Sequence, residues 1–162
     1  MQDKAVAVVG IGCRYPGGIK CANSFWNFLC RGGDGITSIP ESRWNLKKFY
    51  SQDNNKKARL YMHKGGFLDE IDQFEPQFFG ISPREAEYMD PQQRLLLEVT
   101  WQALEDAGCV PEQLSGTNVG VFIGIMMHDY ENIHNQNSEY NQRGPHSASG
   151  PASSIAANRI SH

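Results

Sequence analysis

Two short segments of the chain are predominantly apolar. The first spans residues 5–9 and is followed by Gly10 and Gly12, and the second spans residues 118–125. Runs of this length that are rich in β-branched residues and bounded by turn residues are typical of strands buried on both faces. Two such strands usually belong to a parallel sheet, whose crossover connections commonly include helices. The pattern therefore predicts an α/β fold.

The clearest helix start lies at Ser82. It is followed by Pro83 at the first helical position and by Glu85 at the third, which is the order that a capped helix start prefers. Asp90 and Pro91 repeat this arrangement. Because proline disfavours helical geometry in the residue before it, we expect the first helix to end just before Pro91 and a second helix to begin there.

The second of these helices is predicted to run to Ala107, with Gly108 as its C-cap. Its apolar residues occupy nearly every side of the helix: Leu95, Leu96, Leu97, Val99, Trp101, Ala103, Leu104 and Ala107. A helix that is apolar almost all round is normally buried within a larger body. The sequence therefore predicts that this helix lies inside more protein than two strands and a few helices supply.

The region before these helices is predicted to contain one short helix. Ser24 is expected to cap it, and the helix is expected to pass through Leu29 and stop near Gly32. Residues 34–57 are rich in Ser, Pro, Asn and charged residues, and they are predicted to form an ordered excursion.

Three further segments complete the predicted elements. Residues 61–68 are expected to form a small hairpin or bend around their two glycines. Residues 128–144, rich in Asn and Gln, are expected to begin a helix and continue as a loop. Residues 148–160 are rich in small side chains and are predicted to be helical and closely packed.

The composition is that of a globular protein, with 40% hydrophobic and 10% aromatic residues among 162. The 15 Lys and Arg against 18 Asp and Glu give a formal charge of -3, which argues against a nucleic-acid partner.

No stretch reaches ~18 uninterrupted apolar residues, so the sequence predicts no membrane span. Residues 5–11 lack the charged start and the cleavage site of a signal peptide, which supports their interpretation as a strand.

The candidate metal ligands and thiols are scattered. The four cysteines, at positions 13, 21, 30 and 109, form no C-x-x-C pair and no zinc spacing, so they are predicted to be free thiols. The absence of an N-x-S/T sequon fits a reducing compartment, and a cytoplasmic location is expected. The five histidines are interpreted as solvated loop residues, and no metal site is predicted.

Generic catalytic patterns are also missing. Gly10 and Gly12 begin like a dinucleotide fingerprint, but Tyr15 stands where the third glycine is required, which disfavours a nicotinamide or flavin site. No phosphate-binding G-x-x-x-x-G-K-[ST] and no G-x-S-x-G nucleophile elbow occurs. Glu85 and Glu87 lie in a first helical turn, where capping and the helix dipole explain their charge without acid–base catalysis.

Ordered blocks of sequence carry a family resemblance over essentially the whole chain from Ala5 onward. The blocks are GIGCRYPGG at 10–18, FW at 25–26, RW at 43–44, GGFL at 65–68, FFGISPREA at 78–86, MDPQQRLLLE at 89–98, Trp101, ALEDAG at 103–108, GVFIG at 120–124 and AANRIS at 156–161. Together they resemble the N-terminal part of the β-ketoacyl synthase (ketosynthase) domain of modular polyketide synthases.

This resemblance implies an α/β, thiolase-like fold of two similar halves, in which residues 1–162 are the N-terminal part of the first half. It implies decarboxylative Claisen condensation of an acyl chain with a malonyl-type extender carried by the phosphopantetheine arm of an acyl carrier protein. The implied partners are that carrier protein, an acyltransferase and other synthase domains of the parent chain, and a second copy in a homodimer. No directly bound cofactor is implied.

The resemblance assigns no catalytic residue to this chain. The family's nucleophilic cysteine lies in an Asp-Thr-Ala-Cys-Ser-Ser-type motif after the Asn-Arg-Ile-Ser block, and its catalytic histidines lie further on, both beyond His162. The chain by itself is therefore expected to be inactive. Ile125, Met126 and Met127 match a segment that lines the acyl pocket of related condensing enzymes, and methionine suits an adaptable pocket wall as well as an ordinary core.

Two other hypotheses remain open at the level of sequence. The chain could be a truncated or degenerate ketosynthase segment that serves only as a structural or dimer-forming module. It could also belong to an animal-type fatty acid synthase, although the forms GCRYPGG and PQQR favour the polyketide type. Residues 144–151 depart from the Gly-Asn-rich approach that the family usually shows before the last helix.

Overall fold

The computed structural model describes residues 5–46, 62–137, 146–147 and 149–162. These residues form two compact units. One unit contains the described residues of Met1–Gly12 and Glu70–His162, and the other contains those of Cys13–Asp69.

The described residues of the Cys13–Asp69 unit include a helix and a small sheet. Helix α1 spans Ala22–Cys30, and strands β1 (Ile36–Ser38) and β2 (Lys64–Gly66) pair in antiparallel fashion. The hairpin or bend predicted around Gly65 and Gly66 is wrong, because both glycines lie within β2. A Cβ at Gly66 would lie 2.8 Å from Cγ of Pro16, so this glycine allows close packing and does not turn the chain.

The N-cap of helix α1 lies three residues before the predicted one. It is Cys21, and Ser24 occupies the third helical position, where its Oγ accepts hydrogen bonds from the backbone amides of Lys20 and Cys21, each at 3.1 Å. The prediction of Ser24 as N-cap was therefore wrong in position, because the serine reaches back to the cap from inside the helix. The predicted stop near Gly32 is confirmed, since the helix ends at Cys30 and Gly32 has a φ of 61°.

The second unit is helical in its described part. Its α-helices are α2 (Pro83–Tyr88), α3 (Pro91–Asp106), α4 (Pro111–Leu114), α5 (Asp129–Asn137) and α6 (Ala156–Ser161), with 3₁₀ turns at Gln77–Phe79 and Ser153–Ile155.

The predicted caps of α2 and α3 are confirmed. Oγ of Ser82 accepts from the Glu85 amide at 3.1 Å, and Oδ1 of Asp90 accepts from the Gln92 amide at 2.8 Å. At the other end of α3, Ala107 is the C-cap and Gly108 follows with a φ of 64°, which only glycine adopts without cost. Local sequence chemistry thus sets both ends of the longest helix.

Helix α3 is less deeply covered than its composition predicted. Among its residues only Gln93 and Leu97 are buried, and most of the others are half-buried on every side of the helix. The prediction of a helix enclosed in a larger body is therefore met only in part within the described residues.

The two predicted parallel strands are wrong for the described part of the chain, where the β1–β2 pair is the only sheet. Residues 5–9 and 118–125 form neither helix nor strand, and Val6 and Phe122 are each 93% exposed. In the later segment Val121 and Ile123 are half-buried while Phe122 is exposed, which is the two-residue period of a strand that is covered on one side. A buried strand needs hydrogen-bonding neighbours and cover on both faces, and the described residues supply neither.

Some predicted elements extend outside the described residues. The excursion at 34–57 is described only to residue 46. Of the segment at 128–144, α5 provides the predicted helix, and residues 138–144 lie outside the description. The predicted helix at 148–160 is observed as a 3₁₀ turn followed by α6, and residue 148 is not described.

Within the described ranges no helix is long and apolar enough to cross a membrane.

The exposed apolar segments lead to a first prediction. We expect the 162-residue chain by itself to bind an apolar dye such as ANS and to self-associate, because Val6 and Phe122 present almost their whole surface to solvent. Phe122→Ser is expected to lower both signals without changing the far-UV circular dichroism. Phe79→Ser is the matched control, since Phe79 stacks on Phe74 at 5.3 Å and its loss should raise dye binding. A monomer that binds no dye and melts sharply would contradict this prediction.

Candidate functional site

Arg159 lies at the centre of a hydrogen-bond network that joins α2, α3 and α6. Its Nε donates to Oε1 of Gln93 at 3.0 Å, and its Nη1 donates to Oε1 of Glu85 in an ion pair. Its Nη2 donates to the carbonyl oxygen of Ser149 at 3.3 Å. The Arg159 side chain is only 12% exposed, so its charge is held by these acceptors more than by water.

Gln93 extends the Arg159 network to the segment that precedes α6. It is 1% exposed, and its Nε2 donates to the carbonyl oxygens of Gly150 at 3.1 Å and Ala152 at 3.0 Å. The amide therefore uses both donors, and its oxygen accepts from Arg159. A buried amide satisfied in this way holds residues 150–152 against α3.

Glu85 and His146 complete the network. Nδ1 of His146 lies 3.9 Å from Oε2 of Glu85, and the imidazole is half-buried. The interpretation of His146 as a solvated loop residue is therefore corrected. Glu85 does serve the first turn of α2, as expected, and it also pairs with Arg159 across 74 residues of sequence.

The Arg159 network brings three blocks of the family resemblance together. Glu85 comes from residues 78–86, Gln93 from residues 89–98, and Arg159 from residues 156–161. It holds no nucleophile, so its chemistry is positioning. Sequence reasoning missed it, although Gln93 shares a helix face with Leu97 one turn later, and a polar residue among apolar neighbours was a usable signal.

Gly10 and Gly12 lie directly against α3. A Cβ at Gly12 would collide with the carbonyl oxygen of Val99 and lie 3.0 Å from the amide nitrogen of Ala103. A Cβ at Gly10 would collide with the carbonyl oxygen of Ala103 and lie 2.7 Å from Cβ of Ala107. These glycines therefore allow the backbone to approach a helix, which is a packing role for the sequence that begins like a dinucleotide fingerprint.

Two open grooves lie along α3 and α6. One has a volume of about 560 Å³ and is lined by Phe79, Trp101 and Arg159 among others. The other, of about 690 Å³, is lined by residues 119–123 and shares Leu104 and Ile160 with the first. Both contain apolar and polar groups, and the lining of the first includes the ion-paired residues Glu85 and Arg159.

The residues predicted to line an acyl pocket lie at and just after the end of the segment 118–125. Ile125 is half-buried, whereas Met126 is 71% and Met127 58% exposed, and Met127 has a φ of 75°. None of the three lines either groove. Their pocket role therefore stays a prediction.

The potential metal-ligating side chains of the described residues form no cluster. In the described ranges no group of three or more His, Cys, Asp or Glu residues could hold a metal ion. All four cysteines are free thiols, with Cys13 buried, Cys109 half-buried, and Cys21 and Cys30 exposed.

Comparisons with known proteins agree on one family. Residues 3–162 match the model of the β-ketoacyl synthase N-terminal domain. The chain is 43% identical over 157 residues to a component of the phenolphthiocerol/phthiocerol polyketide synthase of Mycobacterium tuberculosis, and the match covers 97% of this chain and 10% of that protein. It is 44% identical over 163 residues to the pikromycin polyketide synthase component PikAII of Streptomyces venezuelae, covering 100% of this chain and 4% of that protein.

Solved structures give the same result. The oxazolomycin ketosynthase domain OzmH KS7 of a Streptomyces albus strain matches with a TM-score of 0.81 and 34% identity over 95% of this chain and 26% of that one. The ketosynthase of module 6 of the Bacillus subtilis bacillaene synthase matches with a TM-score of 0.77 and 36% identity over 97% of this chain and 24% of that one. The chain thus spans a tenth or less of these curated relatives and about a quarter of the solved domains.

The comparisons confirm two predictions from sequence. The resemblance to the N-terminal part of a polyketide ketosynthase is confirmed, and so is the α/β, thiolase-like fold class. The relatives are bacterial polyketide synthases, so the animal-type fatty acid synthase is not favoured.

Proposed function

The chain belongs to the β-ketoacyl synthase family, and on this premise we propose that it forms part of a polyketide synthase domain that catalyses decarboxylative Claisen condensation. The observation that supports the proposal best is the Arg159 network, because it joins three of the sequence blocks that the chain shares with ketosynthases. Family members are transferases, and the group transferred here is an acyl chain.

The proposed reaction has two stages. An acyl group first moves from the phosphopantetheine thioester of an acyl carrier protein to a cysteine thiolate, with the carrier thiol as leaving group. A malonyl-type extender then loses CO₂, and the resulting enolate attacks the acyl thioester, so that a carbon–carbon bond forms as the carbon–sulfur bond to cysteine breaks. Phosphopantetheine is thus a substrate carrier and not a resident cofactor.

The residues of this chain serve the proposed reaction by positioning. The nucleophile and histidines would come from segments that follow the Asn-Arg-Ile-Ser block, which α6 contains. The Arg159 network holds α6 against α2 and α3, and residues 150–152 are fixed by Gln93. A helix anchored at three points supplies the rigid support that an active site requires.

The proposal includes the partners and location that the family implies. The parent protein would act in the cytoplasm as a homodimer, together with an acyl carrier protein, an acyltransferase and other synthase domains. By itself the 162-residue chain would not condense substrates.

The proposal is tested by locating the acyl thioester. The intact protein is incubated with an acyl carrier protein that bears a short acyl chain, and the modified cysteine is identified by mass spectrometry. We expect the acyl group on a cysteine outside residues 1–162 and none on the four cysteines of this chain. Acylation of Cys13, Cys21, Cys30 or Cys109 would overturn the proposal, and the absence of any thioester would favour the purely structural module.

The proposed acyl pocket yields a second prediction. If Ile125, Met126 and Met127 line it, Met126→Trp should raise the KM for a long acyl carrier substrate about tenfold while leaving that for an acetyl substrate nearly unchanged, because the added bulk removes pocket length. Ile133→Trp is the control, since Ile133 is a similarly exposed apolar residue on α5. Equal effects of Met126→Trp on both substrates would contradict the pocket role.

A further inference from the structure

A turn in the Cys13–Asp69 unit is flanked by two cysteines. Tyr15 and Ile19 form an antiparallel bridge, in which each amide donates to the other residue's carbonyl oxygen at 3.0 and 3.3 Å. Cys13 and Cys21 lie two residues outside this bridged pair, one on each side, so the turn brings the two chain segments that carry them back towards each other.

Arg14 forms hydrogen bonds with both sides of this turn, next to the cysteines. Its Nη1 donates to the carbonyl oxygen of Cys13 at 3.1 Å and to that of Lys20 at 2.9 Å. Because one nitrogen atom holds both oxygens, the oxygens lie within about 6 Å of each other at hydrogen-bonding distances. The Lys20 carbonyl belongs to the same peptide group as the amide nitrogen of Cys21, so the backbone at Cys21 passes close to that at Cys13.

The two thiols have different surroundings. Cys21 is exposed at the N-cap of α1, and its Sγ lies within hydrogen-bonding distance, 3.4 Å, of Oγ of Ser24. Hydrogen bonding with Ser24 lowers the pKa of the Cys21 thiol, and the nearby amide of Asn23 and charge of Arg14 lower it further. Burial raises the pKa of the Cys13 thiol, and the neighbouring Cys21 raises it too. Cys21 is therefore the thiol that ionises first and meets solvent.

We propose that Cys21 and Cys13 form a reversible thiol-oxidation site, in which Cys21 reacts with hydrogen peroxide and Cys13 resolves the product. The Cys21 thiolate attacks one peroxide oxygen, the O–O bond breaks, and the released hydroxide takes up a proton to become water. Cys13 then attacks the Cys21 sulfenic acid, the S–S bond forms, and the S–O bond breaks with loss of a second water. The two thiols supply the two electrons that reduce the peroxide, and a small dithiol reductant restores them.

The consequence of this oxidation is local. A Cys13–Cys21 disulfide would close the turn that contains Pro16 and fix the N-cap of α1 to the segment that follows Gly12. This site is independent of the proposed condensing activity, because none of its residues belongs to the Arg159 network.

The disulfide is tested by peptide mapping of the intact protein in a Cys30→Ser background. Trypsin cleavage after Lys4, Arg14, Lys20 and Arg31 places Cys13 in peptide 5–14 and Cys21 in peptide 21–31, and the substitution leaves one cysteine in each. After brief hydrogen peroxide treatment and alkylation of the remaining thiols, we expect these peptides as a linked pair in most molecules. Dithiothreitol should reverse the link, and Cys21→Ser should abolish it.

Three controls make the result decisive. Ser24→Ala should slow the linkage severalfold, because it removes the hydrogen bond that favours the Cys21 thiolate. Cys109→Ser should leave it unchanged, and peroxide treatment in concentrated urea should spread the links over several cysteine pairs. The proposal is overturned if Cys13 links to Cys109 as often as to Cys21 in the folded protein, or if a sulfenic-acid trap labels wild-type Cys30 in preference to Cys21. Loss of condensing activity would not affect either outcome.

Discussion

Gly12→Ala is expected to destabilise the ketosynthase domain by roughly 3 kcal/mol, at the upper end of the usual cost of overpacking. The added Cβ would collide with the carbonyl oxygen of Val99 and crowd the amide nitrogen of Ala103, and both atoms are backbone atoms of α3. A helix backbone cannot swing aside as a flexible side chain can. The segment that contains Gly12 would therefore have to move away from α3, and its packing against the helix would weaken.

The effect of Gly12→Ala is measured as the change in the free energy of unfolding of the intact domain. Gly124→Ala is the matched control, because a Cβ at Gly124 meets nothing within 4 Å and this glycine has no positive φ. Its cost is expected to stay within about 0.5 kcal/mol. If the two substitutions cost the same, the close packing of Gly12 on α3 is not a feature of the folded domain.

Arg159→Met is expected to cost about 3 kcal/mol of stability, because it removes one partner of a largely buried ion pair and leaves the others unpaired. Methionine keeps the apolar stem of the side chain, so the lost free energy reports on the guanidinium. Glu85 would lose its cation and Gln93 its donor, while the carbonyl oxygen of Ser149 would lose its contact with the guanidinium. The segment before α6 should then become accessible to proteases.

Arg84→Met is the control for Arg159→Met. Arg84 lies on α2, adjacent to Glu85 in sequence, but unlike Arg159 it is exposed. Its replacement should change stability by less than about 0.5 kcal/mol, as is usual for surface residues. Equal losses for the two arginines, or unchanged protease resistance of residues 149–158 in Arg159→Met, would contradict the anchoring role of the network.

The features that sequence predicted well are those decided by neighbouring residues. Ser82 and Asp90 accept from amides two or three residues away, and Gly108 ends α3 through its own backbone conformation. Such interactions are complete within one turn of helix. Their positions could therefore be read from the order of residue types alone.

Apart from the N-cap of α1, the predictions that failed concern partners distant in sequence. Residues 5–9 and 118–125 have the composition of buried strands, but composition does not supply the neighbours that a strand must bond to. Gly66 was interpreted as a turn residue, because the sequence does not show that Pro16 packs on it. Gln93 and Arg159 are 66 residues apart, and only the fold brings them together.

The central claim is that this chain is part of a condensing enzyme, and the most direct test is carbon–carbon bond formation by the intact protein. The protein is supplied with an acyl group and with a malonyl-type extender on acyl carrier protein, and carrier-bound products and released CO₂ are measured together. We predict a β-ketoacyl carrier thioester and CO₂ in equal amounts. Decarboxylation or acyl hydrolysis without any β-ketoacyl product would contradict the claim.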